Sequence, residues 1–244
     1  MKIIVHGAAG RMGGEVTRLV CSENSKNEIA ALVDAFGSGD ILTSLDAFDG
    51  EADCIIDFSN HTATKTLIDY AVRREIPVVF ATTGHTEEEL EIIRAAAERI
   101  PVFFSANMSL GVALLCSLAR SAAAAFPDAD IEIVEKHHNR KLDVPSGTAL
   151  MLADSIKEVR PEAEYIIGRH EYGKRTKKEI GIHSLRLGNV VGEHEVIIST
   201  DTQIITLKHE AQSRSLFAEG ALSAAEFLAG RPAGLYQMKD IIKN

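Results

Sequence analysis

From residue 2 to about residue 106, short apolar runs alternate with polar, helix-patterned stretches. The runs are Ile3-Val5, Ile29-Val33, Cys54-Ile56, Val78-Phe80 and Val102-Phe104, each short enough for a buried strand. Helical periodicity fills several of the gaps, most clearly Thr62–Arg74 and Glu87–Arg99. This strand-helix-strand alternation predicts an α/β domain whose parallel sheet is covered on both faces.

The pattern changes near Ala106–Met108. A helix is expected over Leu110–Ala125, then a strand over Ile131–Val134, a polar loop with two histidines, and a helix over about Thr148–Val159. Residues 161–181 are rich in charge and contain Gly168, Gly173 and Gly181, which predicts a mobile loop. Three strand candidates follow in a row: His183–Leu187, His194–Ser199 and Gln203–Lys208. Consecutive strands predict an open, partly antiparallel sheet with two helices on one face. A last helical pattern, Leu216–Leu228, returns the chain to the first domain. The division expected is 1–107 with 213–244 for one domain and 108–212 for an inserted second one, of α+β type with a mixed sheet.

Charge narrows the function. The chain carries a formal net charge of −9, whereas an electrostatic nucleic-acid binder shows a basic surplus. The longest apolar stretch, Leu110 to Ala119, is stopped by Arg120, too short to cross a bilayer. Cys21, Cys54 and Cys116 each stand alone in apolar surroundings, read as small core residues in a reducing compartment. With no secretory h-region after Met1-Lys2, a cytoplasmic location is expected.

The segment His6-Gly7-Ala8-Ala9-Gly10-Arg11-Met12-Gly13 follows the first strand and opens a helix. Gly7, Gly10 and Gly13 have G-x-x-G-x-x-G spacing, a variant of the dinucleotide fingerprint of Rossmann domains. The helix start offers N–H groups and a positive dipole end to a pyrophosphate. Asp34 ends the second run, where an acid meets the hydroxyls of an adenosine ribose. NADH or NADPH is therefore the expected cofactor; a tight turn of a flavodoxin-like domain is the alternative. Ala81-Thr82-Thr83-Gly84 and Ser105-Ala106-Asn107-Met108 follow later strands and are candidates to line the nicotinamide half.

Glu135 to Ala149, EKHHNRKLDVPSGTA, packs titratable groups into a strand-to-helix connection. A histidine exchanges protons near neutral pH. Lys141 adds a positive charge, and Pro145-Ser146-Gly147-Thr148 begins a helix whose N–H groups suit a carboxylate. Adjacent His137 and His138 point to opposite sides of an extended chain and lack a completing shell, so no metal is expected. Ser146 lacks a nucleophile elbow and reads as a helix cap.

This segment resembles the signature of the dihydrodipicolinate reductase (4-hydroxy-tetrahydrodipicolinate reductase) family, E-x-H-H-x-x-K-x-D-A-P-S-G-T-A, departing from it only at Val144. The resemblance covers nearly the whole chain, including Gly7–Gly13 with Arg11-Met12, Thr82-Thr83-Gly84, Ala106-Asn107 and the run His209-x-Ala211-x-Ser213-Arg214-x-x-Phe217-Ala218-x-Gly220. It implies a Rossmann domain completed by the C-terminal helix, a mixed-sheet domain that binds substrate and forms a homotetramer, and hydride transfer from NADH or NADPH to a small cyclic dicarboxylate in lysine and diaminopimelate biosynthesis. It further implies that His137 and Lys141 handle the proton, while His138, Lys141 and the Gly147-Thr148 backbone hold the substrate carboxylates. Two other readings compete: another two-domain Rossmann dehydrogenase, such as a semialdehyde dehydrogenase, which needs a nucleophilic cysteine, and a catalytically silent dinucleotide-sensing or interaction protein.

Overall fold

A computed structural model describes residues 1–242. The elements run β1 (Lys2–His6), α1 (Arg11–Val20), β2 (Glu28–Val33), β3 (Ile41–Leu42), β4 (Cys54–Asp57), α2 (Thr64–Arg74), β5 (Val78–Phe80), α3 (Glu87–Ala96), β6 (Pro101–Phe104), α4 (Leu110–Ala125), β7 (Asp130–His137), α5 (Gly147–Lys157), β8 (Glu164–Ile167), β9 (Glu179–Arg186), β10 (Gly192–Ser199), β11 (Ile204–Ala211), α6 (Ser215–Leu228), β12 (Gly234–Tyr236) and α7 (Met238–Ile242). The chain divides into two compact units: Met1–Ser109 with Ser215–Asn244, and Leu110–Arg214.

The first unit holds a parallel seven-stranded sheet in the order β12-β6-β5-β4-β1-β2-β3. Strand order runs outward in both directions from β1, so the switch point lies between β1 and β4. Alternating residues face opposite sides. Ile4, Ile55, Val78, Phe80 and Val102 pack with Leu67, Ile68 and Ala71 of α2 and Ile93 and Ala96 of α3. The opposite face carries α6, which packs on α1 and against β4, β5 and β6. α6 approaches closely because it is built from small residues: Ala218, Gly220, Ala221, Ala224 and Ala225 are all buried. A Cβ at Gly220 would lie 1.7 Å from the Met108 carbonyl oxygen.

The second unit is a five-stranded mixed sheet, β11-β10-β7-β9-β8, with antiparallel β11/β10 and β10/β7 pairs and parallel β7/β9 and β9/β8 pairs. Helices α4 and α5 pack on each other and on one face. Their core joins Leu115, Ala119 and Ala123 of α4, Leu152 and Ile156 of α5, and Ile131, Ile133, Ile180, Ile182, Val196 and Ile198 of the sheet.

The structure corrects several expectations. Residues 161–181 are not one loop, because β8 and the start of β9 lie inside them. β7 does not stop at Val134; it runs to His137, which is therefore a strand residue. β3, β12 and α7 were not foreseen, and the chain continues past the helix at 215–228. Cys54 is buried and Cys116 half-buried, but Cys21 is exposed and is no core residue.

Candidate active site

In the first unit every parallel strand ends along one edge of the sheet, and the glycine turn sits at its switch point. Gly7 adopts φ +83°, a left-handed conformation that an L side chain rarely accepts. A Cβ there would also come within 2.6 Å of the Phe58 backbone. Gly7 and Ala8 both donate their N–H to the Val33 carbonyl, at 2.8 and 3.1 Å, which ties the turn to the end of β2. Gly10 caps α1 without a side-chain hydrogen bond, and no acid lies in the first turn. The helix start at Arg11 and Met12 thus has no anion of its own, unlike α3, which carries a capping box and three glutamates there. A phosphate fits such an end.

Asp34 follows β2 directly. Its carboxylate accepts from the N–H of Ala9 at 3.1 Å and of Phe36 at 2.9 Å, so it braces the glycine turn. The Ala81–Thr83 turn follows β5: Ala81 donates its N–H to the Asp57 carbonyl, and the buried Thr82 hydroxyl reaches the same oxygen. After β6 the Ser105 hydroxyl donates to the Asn107 carbonyl at 2.7 Å, the exposed Ala106 lies between them, and Met108 is buried beneath α6. All fourteen residues singled out for the cofactor therefore lie at the carboxyl edge of one sheet. Sequence reading missed a pair beside them. His6 Nδ1 and the buried Asp57 Oδ1 are 2.8 Å apart, and Asp57 also takes the Ser59 N–H and hydroxyl. The signal available was a polar residue closing each of two apolar runs.

In the second unit Glu135 and His137 point to the same, buried side of β7, because residues two apart share a face. Glu135 is fully buried in line with Ile131 and Ile133. Its Oε2 accepts from His137 Nδ1 at 2.5 Å and Arg186 Nη1 at 2.9 Å; its Oε1 accepts from Arg186 Nη2 at 2.8 Å and the Ser146 N–H at 3.2 Å. Burial pushes this carboxyl up, but the hydrogen bonds from His137 and Arg186 outweigh it and hold the group far below the usual carboxylate range. His194 on β10 lies edge-on to His137, with ring centroids 5.2 Å apart, and its Nε2 is 3.1 Å from the Ser146 hydroxyl. Burial, with the neighbouring His137, lowers His194 to about 4.

Ser146 caps α5 through the Ala149 N–H. Gly147 opens the helix exposed, a Cβ there would meet nothing within 4 Å, and Thr148 follows half-buried. Lys141, mostly buried, forms an ion pair of 2.8 Å with Asp143. His138 is half-buried, its Nδ1 has no hydrogen-bond partner among the described residues, and burial together with Arg140 lowers its pKa. Glu135, Arg186 and His194 were missed as parts of this cluster, since Arg186 and His194 lie on strands that only the sheet order brings to β7.

The chain matches two family models, "Dihydrodipicolinate reductase, N-terminus" over residues 1–108 and "Dihydrodipicolinate reductase, C-terminus" over residues 111–242. It is 48% identical to the 4-hydroxy-tetrahydrodipicolinate reductase of Caldanaerobacter subterraneus subsp. tengcongensis, covering 100% of this chain and 98% of the relative. It is 43% identical to the enzyme of the same name from Clostridium tetani, covering 98% and 95%. Among solved structures, the dipicolinate-bound dihydrodipicolinate reductase of Paenisporosarcina sp. TG-14 superposes with TM-score 0.80 at 25% identity, covering 99% of each chain. The C. glutamicum DAP dehydrogenase shares the fold alone, with TM-score 0.58, 10% identity, and 98% and 93% coverage. Matched in both halves by the family's own patterns and along its full length by its members, the chain belongs to the dihydrodipicolinate reductase family.

Proposed function

We propose that the protein reduces 4-hydroxy-tetrahydrodipicolinate to tetrahydrodipicolinate, with NAD(P)H and a proton consumed and NAD(P)⁺ and water released. The single observation that carries this is the tie between Glu135, His137 and Ser146. It joins a histidine fit for proton exchange to the cap of a helix fit to receive a carboxylate. The cofactor is a pyridine nucleotide, and its nicotinamide supplies the hydride. The first unit holds it: the turn Gly7-Ala8-Ala9-Gly10-Arg11-Met12 takes the pyrophosphate and Asp34 the ribose, while Ala81–Thr83 and Ser105–Met108 flank the nicotinamide half. The second unit holds the substrate. His138, Lys141 and the amino end of α5 at Gly147-Thr148 take its two carboxylates, and His137 and Lys141 move the proton that must accompany a hydride.

NADH oxidation, followed spectrophotometrically with enzymatically generated substrate, tests the reading; no turnover would sink it. A semialdehyde dehydrogenase is disfavoured because burial pushes the Cys54 thiol up and that of Cys116 up to about 11, the reverse of an activated nucleophile. Among the described residues no helix is long and apolar enough to cross a membrane. We place the protein in the cytoplasm, where its free cysteines stay reduced. The mixed sheet has helices on one face, while Leu185 and Ile204 stand exposed on it at 42% and 67%. Covering that sheet by self-association makes a homotetramer the expected state; a monomeric mass by light scattering at micromolar concentration would overturn it.

A further inference from the structure

We propose that Glu135 is a positioning residue of this site: its carboxylate selects which nitrogen of His137 exchanges the proton, and through the Ser146 amide it holds that imidazole in register with the start of α5. The proposal rests on the reading of His137 as a proton-exchanging group.

The geometry argues it in steps. An ionised carboxylate only accepts hydrogen bonds. With Glu135 ionised, the 2.5 Å contact requires the proton on His137 Nδ1, so the proton that comes and goes is the one on Nε2. Opposite that nitrogen β10 presents Gly192, where a Cβ would stand 3.1 Å from Nε2; the absence of a side chain keeps Nε2 open. The edge-on His194 ring limits rotation of the imidazole.

The rest of the carboxylate is also committed. Arg186 of β9 grips both oxygens, and Ser146 takes one of them with its N–H while its hydroxyl meets Ala149 and His194. Two strands and the cap of one helix therefore converge on a single carboxyl group. An apolar side chain, like those of Ile131 and Ile133 beside it, fills such a position at lower cost when only the fold is at stake. The charge is retained for the histidine.

The titratable and charged groups around His137 are Glu135 on its own strand, Arg186 on β9 and His194 on β10. His209, paired with His194 across β11, and His138 and Lys141 of the following loop complete them. Two substitutions act on this set with opposite sign. Glu135→Gln removes the anion that favours the imidazolium. Arg186→Gln removes a competing cation and leaves the carboxylate to His137 and the Ser146 N–H.

The test is the pH profile of kcat/KM for reduction, with calorimetric affinity for dipicolinate measured across the same range. Glu135→Gln should move the basic limb to lower pH and lower kcat by about a hundredfold, with the NADH dissociation constant unchanged. Arg186→Gln should move the limb to higher pH, and Glu135→Asp should restore most of its position. A merely structural role would weaken both variants without opposite displacements. An unmoved limb in folded Glu135→Gln, or displacement of both variants in one direction, overturns the proposal. If Glu135→Gln does not fold, Arg186→Gln and Gly192→Ala decide. Gly192→Ala should cut kcat at least tenfold with the limb in place, and near-normal turnover there, or an unmoved limb in Arg186→Gln, refutes the assignment of Nε2. Dipicolinate affinity reads the same histidine without turnover, so a chain with no reductase activity sinks the proposed function while this test still stands.

Discussion

Gly13→Ala is a small change with a large calculated consequence. A Cβ at Gly13 would lie 2.1 Å from the Gly7 carbonyl oxygen, 2.7 Å from its carbonyl carbon and 2.8 Å from Ala8 Cα. All three are backbone atoms of the turn, so no side chain can swing aside. To reach the 3.4 Å of ordinary contact, α1 must withdraw from the turn by about 1.3 Å. Overpacking of this kind costs about 1–3 kcal/mol. At about 2–4 °C per kcal/mol for a chain of this size, Tm should fall by about 2–12 °C. The same displacement carries the N–H groups of Arg11 and Met12 away from the phosphate position. Loss of one charge-assisted hydrogen bond, about 1.5–3 kcal/mol, raises the NADH dissociation constant about ten- to hundredfold. Gly14→Ala is the matched control on the same helix: its Cβ meets nothing within 4 Å. Alanine is favoured over glycine in a helix by about 1 kcal/mol, so Tm should rise by about 2–4 °C with NADH affinity intact. Fluorescence titration with NADH and thermal melts read both variants. If Gly13→Ala binds NADH within twofold of the parent, or if both variants behave alike, the turn does not work by close helix approach.

Asp34 is followed by Ala35 and Phe36 and supplies a negative charge where a 2′-phosphate would sit, so NADH should be used at least as well as NADPH; a tenfold kcat/KM preference for NADPH would refute this. Lys141→Ala should lower kcat and weaken substrate binding, whereas His137→Gln should lower kcat by about 10²–10⁴ with a smaller change in KM, and near-normal turnover in Lys141→Ala would dismiss the loop from the chemistry. His194 is buried and held near 4, below the value of about 6.5 in an unfolded chain, so the unfolded state binds the extra proton first as pH falls. Stability should therefore drop by up to about 3 kcal/mol between pH 6.5 and 4 and level off below, and urea melts of His194→Gln should show a flatter slope there.

The long apolar periodicities were legible because they depend on local sequence: β1, β2, β4, β5, β6, α4 and α6 fall where the runs and helical patterns predict them. What escaped the reading depends on partners far along the chain. β7 reads as ending at Val134 because Glu135 and Lys136 break its apolar run. It continues because Arg186, which neutralises Glu135, arrives fifty-one residues later, as does the Glu193 that pairs with Lys136 fifty-seven residues on. β3 and β12 span two and three residues, too few for any period to register. β8 is hidden among charges that its parallel pairing with β9 makes tolerable. The cofactor edge was legible through Gly7, Gly10, Gly13 and Asp34, while the His6–Asp57 pair beside it required the β1/β4 register.

The insertion of Leu110–Arg214 into the first unit has a consequence for biosynthesis. One face of the parallel sheet carries Ile3, Val5, Ile56, Val79 and Phe103; α1 packs on β1, but β4, β5 and β6 find their cover in α6, whose Phe227 ring meets Phe103 at 6.2 Å. Those strands leave the ribosome long before α6 does. At about 5–20 residues per second the intervening segment keeps them waiting for roughly 5–20 s. The mixed-sheet unit is continuous in sequence and has its own core, so it can close during that interval while the earlier strands still expose an oily face to solvent. Nascent chains stalled before residue 215 are thus the species a holding chaperone should capture, and an early stop codon anywhere in the middle of the message leaves an aggregation-prone stub rather than a working nucleotide domain.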